Sequence, residues 1–276
     1  SIAIKGGAAR DVGSLALVDA RGEMFGYLSN GCIDRDVRLR ALDALSSGDK
    51  QVVRYGEGSK FMDLTLPCGG SLTILIDPCP DFEALNRAAK SLSQRQPAEL
   101  SFVTDGQTKD QFRFKYAPIL RLALAGRGAI FRATARAAES VRLELSLLSP
   151  DTDDLDALST LRPASMHHLR TPSDDVPVTD LDEYSALLTL FHDHDWEPQV
   201  LKAALETPAF FIGSLGSKRT HSQRCNALLA QGVAVSDLDR LKGPIGLVPS
   251  LRSAPLIALS ALAEITENMP EQIAAQ

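Results

Sequence analysis

Two thiols are placed where chemistry is expected. Cys32 and Cys68 each stand at a sharp glycine turn, in Ser29-Asn30-Gly31-Cys32 and Pro67-Cys68-Gly69-Gly70. At such turns backbone approaches a ligand closely and amide donors are free. Cys32 also opens a helical pattern, a position that favours the reactive thiolate. Most cysteines are packing groups, and that role is adopted for Cys79, in Asp77-Pro78-Cys79-Pro80, and for Cys225 in mid-helix. None of the four cysteines forms a C-x-x-C pair, so no structural zinc site is expected.

Four further segments each follow an apolar run. The first, Gly126-Arg127-Gly128, resembles the phosphate turn of a dinucleotide fold, but Phe131 takes the third glycine position and Ser149 the place of the acidic ribose ligand. It reads equally as a dinucleotide site and as a fold-defining turn. The second is Ser149-Pro150-Asp151. The third, His192-Asp193-His194-Asp195, invites a metal. Alternate residues of an extended segment face opposite ways, however, so a substrate-facing polar loop is preferred and no metal site is assigned. Asp195 is also a candidate cap for a helix beginning near Glu197. The fourth runs Gly213-Ser214-Leu215-Gly216-Ser217-Lys218-Arg219. Its glycine and serine backbone leaves N–H groups free at a helix start, and two bases in the first turn oppose the helix dipole. An anion site is favoured over a surface turn with two solvated bases.

Strands and helices must position these groups. Residues 1–117 alternate short strands with two helices, 33–45 and 82–92, and carry a candidate hairpin across Asp105-Gly106. Strands are expected at 2–4, 14–19, 24–28, 51–55, 61–66 and 71–76. From Leu120 the texture changes: apolar runs at 120–125, 144–148, 186–191 and 209–212 alternate with helical stretches. That pattern predicts a parallel sheet wound on both faces, with the four segments at the carboxyl ends of its strands. The expected architecture is α/β: an N-terminal mixed α+β domain, 1–117, and a Rossmann-like doubly wound domain, 118–276. Residues 151–182 read as an irregular connection around one short strand near Met166. A closing helix, 255–268, carries Leu256, Leu259, Leu262, Ala263 and Ile265 as its apolar stripe.

Composition narrows the function. A net charge of −6 with dispersed Lys and Arg excludes general nucleic-acid binding. No apolar run reaches the roughly 18 residues that span a bilayer, no export signal is visible at the start, and the cysteine usage fits a reducing, cytoplasmic setting.

The strings Lys5-Gly6-Gly7-Ala8-Ala9-Arg10-Asp11-Val12-Gly13-Ser14, Tyr27-Leu28-Ser29-Asn30-Gly31-Cys32-Ile33-Asp34 and Leu66-Pro67-Cys68-Gly69-Gly70-Ser71 resemble the amino-terminal half of the XdhC/CoxI family, the xanthine dehydrogenase accessory factors. Phe191-His192-Asp193-His194-Asp195 and Phe210-Phe211-Ile212-Gly213-Ser214-Leu215-Gly216-Ser217-Lys218-Arg219 resemble its Rossmann-like half. Asn30 stands where the family often has a second glycine, and Asp34 where it often has glutamate.

The resemblance implies a homodimer that binds molybdopterin cofactor, supports its sulfuration by a cysteine desulfurase and inserts it into an apo-hydroxylase of the xanthine dehydrogenase type. It assigns Cys32 and Cys68 to the reactive positions, with Arg10, Gly13, Gly31, Gly69 and Gly70 around them. Further cofactor contacts are expected from Gly126, Gly128, His192, Asp193, His194, Gly213, Ser214, Gly216, Ser217, Lys218 and Arg219, the Gly-rich turns with Lys218 and Arg219 suiting the phosphate and Cys68 the molybdenum or its incoming sulfur. The rival function is an NAD(P)-dependent oxidoreductase on the second half.

Overall fold

The computed structural model describes residues 1–7, 10–57, 59, 69–105, 110–172, 176–193 and 195–270. The chain divides into two compact units, Ser1–Pro118 and Ile119–Ala274.

The first unit contains β1 (Ala3–Lys5), β2 (Leu17–Val18), β3 (Met24–Phe25), α1 (Asp34–Ser47), β4 (Gln51–Gly56), β5 (Ser71–Ile76), α2 (Phe82–Ser93), β6 (Ala98–Val103) and β7 (Gln111–Tyr116). An antiparallel sheet runs β1-β5-β4, and β2-β3 and β6-β7 are two-stranded ribbons. Val53, Tyr55, Leu72, Ile74 and Ile76 cover one sheet face and bury Ile33, Val37 and Ala44 of the α1 segment. Helix α1 stops at Gly48, whose φ of 80° lets its N–H return to the Ala44 carbonyl. At the start of α2, the Asp81 carboxylate accepts from the Ala84 N–H at 2.9 Å. The expected strands at 14–19 and 24–28 shrink to the two-residue pairs Leu17–Val18 and Met24–Phe25. The strand expected at 61–66 and the tip of the 105–106 hairpin lie outside the described residues.

A glycine crossing ties this sheet together. Gly56 has φ +82°, and a Cβ there would stand 2.1 Å from the Gly70 carbonyl oxygen. A Cβ on Gly70 would itself stand 2.5 Å from the Gly7 carbonyl oxygen. Only glycine allows the three backbones to meet so closely.

The second unit contains β8 (Arg121–Gly126), α3 (Gly128–Ser140), β9 (Glu144–Ser149), α4 (Thr152–Leu158), β10 (Ser165–His168), β11 (Ser185–Leu190), α5 (Glu197–Leu205), β12 (Phe211–Ser214), α6 (Lys218–Ala230), α7 (Val235–Leu238), β13 (Leu241–Lys242) and α8 (Ala254–Glu267). Its six strands pair in parallel in the order β10-β9-β8-β11-β12-β13. Counted within the unit this is 3-2-1-4-5-6, the doubly wound dinucleotide-fold order. Both sheet faces are buried, as the unbroken apolar runs require. Leu122 and Leu124 pack with Phe131, Leu158 and Ala261 on one face. Ala123 and Ala125 pack with Val200, Leu201 and Leu228 on the other.

Three local expectations are corrected. Residues 152–158 form α4, because the Asp151 side chain caps the amides of Asp153 at 2.9 Å and Asp154 at 3.2 Å, while Leu155 and Leu158 enter the core. Asp195 does not cap α5: the residue before that helix is Trp196, and no side chain caps it. In α8 the inward face is Ala258, Ala261, Leu262 and Ile265, whereas Leu256 and Leu259 are exposed. Among the described residues, no helix is long and apolar enough to cross a membrane.

Candidate functional site

In the first unit, one turn presents Cys32. The Asp34 carboxylate accepts hydrogen bonds from the amides of Leu28 (2.8 Å), Ser29 (3.2 Å) and Gly31 (3.1 Å) and from the Ser29 hydroxyl (2.6 Å). The Ser29 hydroxyl in turn accepts from the Ile33 N–H at 3.1 Å. Burial acts to raise the Asp34 pKa, but the Ser29 hydroxyl and the three amides outweigh it and hold the group below its ordinary value. The ionised side chain is therefore a clamp, and it leaves Gly31 at φ +92° and the Cys32 thiol exposed.

Arg10 packs on Tyr27, the residue before the clamped Leu28 amide. Its guanidinium sits 4.9 Å from the centre of the Tyr27 ring, and its Nε is buried with no hydrogen-bond partner among the described residues. Gly31 and Cys32 share the Asp34-clamped turn, and Arg10 packs on Tyr27, the residue that precedes it. Gly13 is not part of this surface. It is buried beneath the Phe114 ring, where a Cβ would come within 3.0 Å of the ring carbons, and its carbonyl accepts the Tyr116 hydroxyl at 2.8 Å. Gly69 is exposed with φ +67°, and Gly70 belongs to the glycine crossing. Cys68 lies outside the described residues. Cys79, expected as packing, is exposed; Pro78 and Pro80 on either side of it are half-buried instead.

In the second unit, β8, β9, β11 and β12 are parallel in one sheet, so the four segments that follow them meet at its carboxyl edge. The topological switch point lies between β8 and β11. Gly126 allows these strands to close up, since a Cβ would stand 2.8 Å from the Leu190 carbonyl oxygen. The Arg127 guanidinium after β8 pairs with the Asp193 carboxylate after β11. Asp154 of α4 accepts from the Gly128 N–H, the first of α3, and its other oxygen pairs with Arg132. Ser149 is fully buried, and its hydroxyl accepts from the Asp151 N–H at 3.1 Å. His192 is exposed, and His194 lies outside the described residues.

Beyond β12, Ser217 caps α6 by accepting from the Thr220 N–H at 3.1 Å. Gly216, Lys218 and Arg219 are exposed at the helix start, while Gly213 and Ser214 are buried in β12. Beneath this turn lies an ion pair that motif reading missed. Glu197 and Arg224 side chains are 1% and 3% exposed, joined by Arg224 Nε at 2.9 Å and Nη2 at 3.0 Å. Nη2 also donates to the Leu215 carbonyl at 2.8 Å, and the Ser214 and Thr189 hydroxyls lie 2.6 Å apart beside Glu197. Asp154 was equally unmarked in the sequence. The Pro150-Asp151 helix start with acids in its first turn was the available signal for α4.

Residues 122–265 match the XdhC Rossmann domain, and residues 2–56 match the XdhC and CoxI family. The chain belongs to the XdhC/CoxI family. It is 30% identical over 277 aligned residues to the molybdenum cofactor insertion chaperone PaoD of Escherichia coli K12, covering 96% of this chain and 80% of that one. It is 24% identical to the uncharacterized protein YqeB of the same organism, over 91% of this chain but 39% of YqeB. A crystal structure described as a xanthine dehydrogenase from Bacillus halodurans superposes with a TM-score of 0.77, over 96% of this chain and 89% of the other. At 20% identity that likeness shows a shared fold. The amino-terminal family match takes in Arg10, Gly31 and Cys32, and the Rossmann match takes in the whole carboxyl edge described above.

Proposed function

We propose that this XdhC/CoxI chain binds a molybdopterin-type molybdenum cofactor as cargo, accepts or supports its sulfuration by a cysteine desulfurase, and inserts it as a homodimer into a xanthine dehydrogenase-type hydroxylase. The carrying observation is the Asp34-clamped turn, which leaves the Cys32 thiol exposed, with the Arg10 guanidinium packed on Tyr27 just before that turn in the chain. A thiolate suits a soft metal centre, and a guanidinium suits a phosphate or a polar pterin edge. The chaperone function carried by the name of PaoD, a relative along nearly the full chain, supports the same reading. Cys68 and the exposed Gly69 belong to the thiol site in this proposal, next to Gly70 of the glycine crossing, and Lys218 and Arg219 are proposed separately as an anion site of the second unit.

The test is metal and pterin content of protein purified from a molybdopterin-producing host. Cys32→Ala and Cys68→Ala are expected to lose most of the bound molybdenum while keeping the wild-type melting temperature, and Cys79→Ala to retain it. Equal molybdenum and pterin in all three variants and wild type would refute the thiol assignment.

A further inference from the structure

The Rossmann half has the strand order of a dinucleotide-binding fold, yet its phosphate position is already filled. In such folds the pyrophosphate lies on the free N–H groups where the first helix begins. Here that helix is α3, and its first N–H, from Gly128, is given to the Asp154 carboxylate. The second oxygen of Asp154 pairs with Arg132, one turn into the same helix. The Asp154 side chain is 1% exposed, so this anion is built into the fold. A Cβ on Gly128 would meet nothing within 4 Å, so there is room at the helix start.

Three independent features act in the same direction. The Arg127–Asp193 pair bridges the ends of β8 and β11, across the crevice where a dinucleotide would lie. At the end of β9 the buried Ser149 offers no carboxylate to a ribose; its hydroxyl holds the Asp151 N–H. Phe131, wholly buried, replaces the third glycine of the fingerprint and packs in the core against the sheet.

We infer that Asp154 is the specificity-determining residue of this half: it stands in for a phosphate, closes the edge to dinucleotides, and conceals a latent phosphoryl site made by Gly128 N–H and Arg132. Removing its charge leaves an unneutralised guanidinium and a free helix-start amide facing the same place. Both are the groups a phosphoryl oxygen seeks.

Titration calorimetry with NAD+, NADP+, ADP and inorganic pyrophosphate tests this on the full chain. Wild type is expected to bind none of them below about 1 mM, a weak-binding limit. Asp154→Ala is expected to bind ADP and pyrophosphate at least about tenfold more tightly than wild type, the worth of one charge-assisted contact. Adding Arg132→Ala to that variant should remove the gain. If Asp154→Ala melts before the titration can be run, Asp154→Ser serves in its place, because it keeps an oxygen for Gly128 and drops the charge. Micromolar NAD+ or NADP+ binding by wild type overturns the inference. So does a folded Asp154 variant with wild-type affinity for all four probes. Neither result bears on molybdenum retention at Cys32, so the inference and the proposed function fail separately.

Discussion

Arg224→Met should destabilise the second unit strongly, and the size of the effect follows from geometry. The substitution keeps most of the aliphatic stem but deletes the two hydrogen bonds to Glu197, at 2.9 and 3.0 Å, and the one to the Leu215 carbonyl, at 2.8 Å. Because the Glu197 side chain is 1% exposed, its carboxylate would stay in the interior stripped of its guanidinium. Breaking a buried pair from one side costs about 3–5 kcal/mol. At about 2–4 °C per kcal/mol for a unit of this size, the melting temperature should fall by roughly 6–20 °C. Replacing both partners, Arg224→Met with Glu197→Met, removes the stranded charge and should recover more than half of the loss. Calorimetric melts of wild type, both single variants and the double variant supply the cycle. A single-variant loss under about 1 kcal/mol, or a double variant no better than Arg224→Met, would show that the buried pair does not stabilise the second unit.

Two other outcomes are expected. Lys218→Ala with Arg219→Ala should weaken binding of inorganic phosphate at least about tenfold at low salt, with a smaller effect as salt rises, because exposed charges are screened within about 10 Å at 0.1 M; unchanged affinity across salt would remove the anion site from the α6 start. Gly56→Ala should unfold the first unit or cost it well over about 2 kcal/mol, since the new Cβ would stand 2.1 Å from the Gly70 carbonyl oxygen, whereas Gly31→Ala, at φ +92° with nothing within 4 Å, should cost only about 1 kcal/mol of backbone strain. Circular dichroism melts separate the two, and equal losses would contradict the glycine crossing.

Part of this was legible in the residues. The apolar runs at Leu122–Ala125 and Leu145–Leu148 mark strands buried on both faces, and the helical stretches between them require a parallel sheet. A parallel sheet places every strand's carboxyl end on one side, so the gathering of Gly126, Asp193 and Ser217 at one edge follows from the sequence pattern. The exposure of Cys32 was likewise signalled by its glycine turn. Helix α4 was hidden by composition alone, because its acids look like a solvated linker unless they are counted as first-turn residues.

Local pattern shows which residues of one segment share a face, but not what that face meets. In α8 the spacing of Leu256, Leu259 and Leu262 is helical, yet the side turned toward α3 carries Ala258 and Ala261. Small residues let two helices approach closely, and only docking reveals that choice. Glu197 and Arg224 are 27 positions apart, and Arg132 and Asp154 are 22 apart. No periodicity connects such pairs, because each partner obeys its own helix and the contact is made by the sheet that brings the helices together. The amino-acid sequence thus determined the strands, the turns and the edge where ligands are expected. Only the tertiary structure decided that Asp154 fills the start of α3 while Lys218 and Arg219 stand exposed at the start of α6, since a charge's partner is settled by packing across distant segments.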